Sequence, residues 1–139
     1  MAGVSPMISV DEYIGIPYEL GGCDRDGLDC WGLVRLVYKE KIGQTLPDFG
    51  SPTIEAGDVH LAIQAGLSYE LSTTTNEPED LDVVIARRRV LSHHAGIYVG
   101  GGVLHASSPA GSVVYEKLES FQNRIGGTVE FHRVKRIGV

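Results

Sequence analysis

The sequence predicts an α+β fold, with helices in its first half and a meander of antiparallel strands in its second. Three observations carry that prediction. From Asp29 onward Leu33, Leu36 and Val37 recur at helical spacing. From residue 81 onward the texture changes to short strand-like runs: "DLDVVIARR", "HAGIYVGGGVLHASS", "GSVVYEKL" and "GTVEFHRVKRI". The two kinds of segment are segregated rather than alternating, which argues against a βαβ arrangement. The 139 residues show no repeat or linker and suit a single domain, 1–139, with one core.

The elements follow in chain order. "SVDEYIG" (9–15) reads as a short helical turn or two, with Ser9 as N-cap and Glu12 at the capping-box position. "IPYELGGCDRDGLD" (16–29) reads as loop, because Pro17, Gly21, Gly22 and Gly27 break any regular pattern. A helix is expected over 30–42, with Asp29 as N-cap, Val34 and Tyr38 on its flank and Lys39–Lys41 as its polar edge. Gly43 stops it and Pro47 prevents continuation. Within 48–77, Ile54, Val59, Ile63 and Leu67 have helical spacing interrupted by Gly57, and "STTTNEPED" (72–80) reads as polar loop. The strand after it has apolar residues on both faces. Two more strands, His94 to Val99 and Val103 to Ala106, are joined at the glycines. "KLESFQNR" reads as one helical turn. Val129, Phe131 and Val134 mark a final strand.

Charge and cysteine count exclude several classes. The formal net charge is −6, so the basic footprint of a nucleic-acid binder is missing. "RRR" at 87–89 reads as a solvated strand end. No apolar run approaches the roughly 20 residues needed to cross a bilayer, so no membrane insertion is expected. "MAGVSPMISV" has neither a charged n-region nor a long apolar h-region. The expected product is made without a signal peptide in the cytoplasm, and anything it does outside requires a carrier. Cys23 and Cys30 are too few for a disulfide framework. Their C-x6-C spacing lacks the tight pairing of structural zinc sites, and no metal or cofactor is expected.

Cys30 stands where loop gives way to helix. It could be a buried hydrophobe, half of a disulfide, a metal ligand or a nucleophile. At a helix N-terminus the first-turn N–H groups are unsatisfied and partly positive, which favours a thiolate. Its own N–H is a candidate oxyanion donor. A nucleophilic thiol needs a base, and the base needs an orienting partner. "HHAGIYVGGGVLHAS" (93–107) supplies both. His94 opens one strand and His105 closes the next, and the tight Gly100–Gly101–Gly102 connection makes the two strands hairpin neighbours. The two rings therefore share a face, with His94 as base and His105 holding its tautomer. His93 points to the opposite face by strand alternation. His60 and His132 read as surface or hydrogen-bonded residues.

These residues carry a family resemblance. "GIPYELGGCDRDGLDCWGLV" (15–34) resembles the NlpC/P60 signature, in which G-x-P-Y-x-x-G-G leads to D-C-[SW]-G-L-V. "HHAGIYVGGGVLHAS" resembles the family's H-x-G-I-Y-x-G block followed by its hydrophobic-HAS block. "EPEDLDVVIA" (77–86) is similar to the P-G-D-L strand, with Glu79 in place of the usual Gly. The resemblance implies a papain-like α+β fold with the nucleophile at a helix N-terminus packed on an antiparallel sheet. It implies a cysteine peptidase cutting peptidoglycan stem peptides, typically between D-γ-glutamyl and diaminopimelate or lysine. Cys30 would be nucleophile, His94 base and His105 the third polar residue. Tyr18 would position substrate or stabilise the oxyanion.

Trp31 stands where many secreted members have Ser, and "DCWGLVRLVYKEKIGQTLPDF" is similar to the NlpC/P60 proteins of phage tails. That resemblance implies a phage or prophage tail component, with tail proteins as partners, carried by the virion to the cell wall. The other reading is a structural tail-assembly or tail-tip protein with weak or no hydrolase activity.

Overall fold

A computed structural model describes residues 9–46, 72–89 and 92–135. The chain opens with a 3-10 turn, Asp11–Tyr13, that buries Tyr13. Val10, not Ser9, is its N-cap and no side chain caps it, so the expected capping box does not form. Two two-residue strands follow, β1 (Cys23–Asp24) and β2 (Gly27–Leu28), paired antiparallel. The glycine-rich stretch expected to be loop thus holds a miniature hairpin.

Helix α1 spans Cys30–Val37 and continues as a π-helical turn over Tyr38–Ile42. Asp29 is its N-cap, accepting from the Gly32 N–H at 2.7 Å. Gly43 ends it at φ 78°, the left-handed conformation that glycine adopts without penalty. Trp31, Leu33, Val34, Leu36 and Val37 are all buried, and each such Leu or Val contributes about 1.5–3 kcal/mol by leaving water. Val34 and Tyr38, expected on the flank, are inside.

Strands β3 (Ser72–Thr75), β4 (Val83–Arg89), β5 (Ser92–Val99), β6 (Gly102–Ser107), β7 (Ser112–Lys117) and β8 (Thr128–Val134) form one sheet in the order β3-β8-β4-β5-β6-β7. Every pairing is antiparallel. Helix α2, Leu118–Ile125, runs two turns, twice the length expected. The fold is α+β, as the sequence predicts. Ser72–Thr75 corrects the polar-loop reading: Ser and Thr pair with β8 at the sheet's edge, where one neighbour suffices and little apolar surface is needed. The helical spacing from Ile54 to Leu67, and His60 with it, lies outside the described residues.

Both faces of the sheet are covered. Val83, Ile85, Ala95, Ile97, Leu104 and Ala106 face the core shared with α1. Val84, Ala86 and Val103 face the other way, against Phe121 and Ile125 of α2. This explains why β4 is apolar on both faces, as read from "DLDVVIARR". In β8, Val134 belongs to the first face and Val129 and Phe131 to the second. The basic run is less solvated than expected: Arg87 is half-buried and pairs with Glu130 across the strands at 3.3 Å. The side chains of Arg88, Arg89 and His93 lie outside those described.

Candidate active site

The hairpin between β5 and β6 is tight. Val99 pairs with Gly102, so only Gly100 and Gly101 turn the chain, at φ 58° and 82°. Two consecutive positive φ values define the turn whose twist matches antiparallel strands. The register runs from this turn to Ile97–Leu104. His94, Gly96, Val103 and His105 therefore lie on the α2 face. Gly96 matters here: a Cβ on it would stand 2.8 Å from the Leu104 carbonyl oxygen and 3.2 Å from the His105 Cβ. Its missing side chain lets the His105 ring lean across to His94. His94 Nε2 and His105 Nδ1 are 2.8 Å apart, with the rings edge to face and their centroids separated by 4.9 Å. Phe121 of α2 covers the pair, 5.0 Å from the His105 ring and 6.4 Å from the His94 ring.

Cys30 reaches the same place from the opposite side of the sheet. Its thiol is pulled down by nearby backbone N–H groups, first that of Ala95, the residue after His94, and then those of Trp31 and of Cys30 itself. Ala95 lies beyond the last β5–β6 pair, so its N–H can serve the thiol. The register of α1 is held by its start. Asp29 Oδ1 accepts from Gly32, and Oδ2 accepts from the Gly21 N–H at 2.8 Å. Gly32 packs so closely on the loop that a Cβ would come within 1.9 Å of the Gly22 carbonyl oxygen. Tyr18 is half-buried beside this junction, bridged to Leu28 and bonded through its N–H to the Gly111 carbonyl. Its phenol is pushed above its ordinary value, by burial first and then by the negative charge of Cys30 and Asp29. The structure thus sets Cys30 against Ala95, the neighbour of His94 along β5, with Tyr18 close enough to feel its charge and His105 bonded to His94.

The electrostatics differ from expectation. The helix-start N–H groups do pull the thiol down, but burial outweighs them, and Asp29 adds to it; Cys30 is pushed up to about 11. The helix end is local to a few residues, whereas the desolvation comes from tertiary packing. His94 is pushed down to about 3, by burial first and then by His105 and Arg124. At neutral pH the thiol and imidazole are both uncharged.

Two residues of the site were missed by sequence reasoning. Glu116 on β7 lies 2.6 Å from His105 Nε2, and Arg124 on α2 grips the same carboxylate at 3.0 and 2.5 Å. The alternation of "SVVYEK" places Glu116 on the face of Val114, but nothing local separates it from a solvated carboxylate. Trp31 is buried in the core with α1. Cys23 is exposed, and both cysteines are free thiols. His132 bonds Glu130 at 3.2 Å, in keeping with its reading as a hydrogen-bonded residue. Among the described residues no cluster of three or more His, Cys, Asp or Glu could hold a metal ion. None of the described helices is long and apolar enough to cross a membrane.

A cysteine at a helix N-terminus and a bonded pair of histidines on an antiparallel sheet mark out the class of this α+β domain. The NlpC/P60 family pattern matches residues 15–126, and the chain belongs to that family. It is 28% identical over 116 residues to the murein DD-endopeptidase MepS/murein LD-carboxypeptidase of Escherichia coli K12, a match covering 81% of this chain and 55% of that protein. It is 28% identical over 102 residues to the gamma-DL-glutamyl hydrolase of Bacillus subtilis 168, covering 73% of this chain and 22% of that one. The chain thus spans about half the length of the MepS protein. Among solved structures, the NlpC/p60 domain of the peptidoglycan hydrolase SagA superposes with a TM-score of 0.59 at 24% identity, covering 86% of this chain and 89% of that domain. The peptidoglycan hydrolase RipB of Mycobacterium tuberculosis gives 0.59 at 23%, covering 89% and 60%.

Proposed function

We propose that this protein is a cysteine peptidase that hydrolyses amide bonds in peptidoglycan stem peptides, of the D-γ-glutamyl–diamino acid endopeptidase type. The observation that carries the reading is the convergence of the Cys30 thiol, through the Ala95 N–H, on the hydrogen-bonded pair His94 and His105. Relatives named as murein endopeptidase and gamma-DL-glutamyl hydrolase support the substrate class.

His94 takes the thiol proton as sulfur attacks the amide carbonyl. The oxyanion that forms is met by the Cys30 N–H and by Tyr18. The intermediate collapses, the C–N bond breaks, and His94 returns the proton to the leaving amine. Water then cleaves the thioester with His94 again as base. His105 holds the His94 ring throughout.

The proposed setting is a phage or prophage tail. The chain is made in the host cytoplasm, assembles with tail proteins and acts at the wall of the next cell. Its support is the sequence around Trp31.

The test is digestion of defined muropeptides with mass-spectrometric readout. Wild-type protein releases peptides with a new N-terminal diaminopimelate or lysine, and Cys30→Ala releases none. Equal release by Cys30→Ala would sink the nucleophile assignment. Intact muropeptides with both proteins, together with normal assembly of Cys30→Ala particles, would favour a structural tail role.

A further inference from the structure

The chain of hydrogen bonds does not end at His105. Its Nε2 lies 2.6 Å from Glu116 Oε2, and Arg124 holds that carboxylate from the other side through Nε and Nη2. Three elements meet there: β6 supplies His105, β7 supplies Glu116 and α2 supplies Arg124. The charged and titratable groups facing His105 among the described residues are His94 from β5, Glu116 and Arg124.

We propose that Glu116, clamped by Arg124, is the positioning residue that sets the tautomers of both histidines and so leaves His94 Nδ1 able to accept the thiol proton. The logic is one of donors and acceptors. An ionised carboxylate can only accept. His105 must therefore carry its proton on Nε2. In neutral His105 that leaves Nδ1 as an acceptor, so His94 must donate from Nε2 across the 2.8 Å contact. Neutral His94 then has its lone pair on Nδ1, the one ring nitrogen outside the chain. Without Glu116, His105 can carry its proton on Nδ1. It would then donate to His94 Nε2 and turn the base around.

Glu116 is suited to this. Arg124 first, and then His105, hold its carboxyl below the usual carboxylate range, which favours the ionised, acceptor-only form. Its side chain is only one-fifth exposed, so the contact with His105 is largely shielded from competing water.

The inference rests on the thiol-peptidase reading above, and its test separates the two. Histidine 15N shifts of the full-length protein at pH 7 report the tautomer of each ring without turnover. The expected result is His94 and His105 both protonated at Nε2. In Glu116→Ala, His105 populates the Nδ1–H form, and kcat on muropeptides falls about 10- to 100-fold, the range set by partners that orient a functional histidine. KM stays within about twofold. Glu116→Gln keeps a carbonyl acceptor and restores both the tautomer and most of kcat. Wild-type His105 protonated at Nδ1 would overturn the proposal, as would unchanged tautomers in Glu116→Ala or a Gln variant no better than Ala. Should Glu116→Ala not fold, the wild-type spectrum and Glu116→Gln still decide. Hydrolysis by Cys30→Ala would refute the thiol reading while leaving the tautomer result standing.

Discussion

Replacing Asp29 by alanine separates two roles that one carboxylate performs. Oδ1 caps α1 at Gly32 (2.7 Å) and Oδ2 holds the Gly21 N–H (2.8 Å). Losing an N-cap costs about 1 kcal/mol, within a range of about 0.5–2. Gly21 is exposed, so water replaces its partner and that bond adds little. The expected loss is about 1–2 kcal/mol, a fall in Tm of about 3–6 °C for a chain of this size. The same carboxylate pushes the Cys30 thiol up through its charge. Asparagine caps about as well as aspartate but carries no charge. Asp29→Asn should therefore keep the denaturation midpoint near wild type and yet alkylate faster at Cys30 at pH 8, read by peptide mass mapping with iodoacetamide. Asp29→Ala should lose stability. If Asp29→Ala stays within about 0.5 kcal/mol of wild type in urea titration, the cap does not act as described. If Asp29→Asn alkylates no faster, the charge argument is wrong.

Other perturbations test the frame around the site. Gly32→Ala forces a Cβ to within 1.9 Å of backbone oxygen at Gly22; it should lower the urea midpoint by more than about 2 kcal/mol equivalent, and a neutral result would mean the loop is not seated on α1. Gly96→Ala presses on the Leu104 carbonyl and the His105 Cβ; kcat should fall further than Tm, and activity near wild type would show that His105 needs no such room. Tyr38 donates its hydroxyl to the Leu81 carbonyl, at a residue with φ 76°. Tyr38→Phe strands that carbonyl and should cost about 1–3 kcal/mol in urea titration. Burial depresses His94 to about 3 in the folded chain, so below about pH 6.5 the unfolded chain takes up a proton that the folded one refuses. This contribution to stability is present above the unfolded value and drains as pH falls toward the folded one. Tm should drop between pH 7 and 4.5, with a shallower drop in His94→Gln; equal slopes would remove His94 from the account.

What could be read from the sequence was what is local. Asp29 as cap, Gly43 as stop and the glycine turn between β5 and β6 each depend on residues within a few positions. Apolar periodicity placed β4 and identified it as buried on both sides. The joining of His94 to His105 followed from a tight glycine hairpin, although Gly102, read as part of the turn, pairs with Val99 in the strand. Glu116 was not legible because its partners come from β6 and α2, and a glutamate alternating with valine on a strand looks like any solvated one. Ser72–Thr75 was not legible because an edge strand needs no apolar signature. The neutral state of Cys30 was not legible because desolvation belongs to the tertiary packing around α1, whereas the helix start that opposes it is visible in one turn of sequence.

A thiol pushed up and an imidazole pushed down imply that the site at rest holds no ion pair. Its polar groups are nevertheless arranged for charge. Backbone N–H groups of Ala95, Trp31 and Cys30 favour the charged sulfur. One histidine, His105, and a clamped carboxylate stand in line behind the proton acceptor His94. Such dipoles act weakly on a neutral thiol and strongly on a thiolate, because a partly buried site screens charge less than bulk water does. Fixed donors therefore contribute most when proton transfer accompanies attack on a bound carbonyl, and least when no substrate is present. On this account burial serves the chemistry: it keeps an idle thiol protonated, and it strengthens every dipole that meets the charge once the reaction begins.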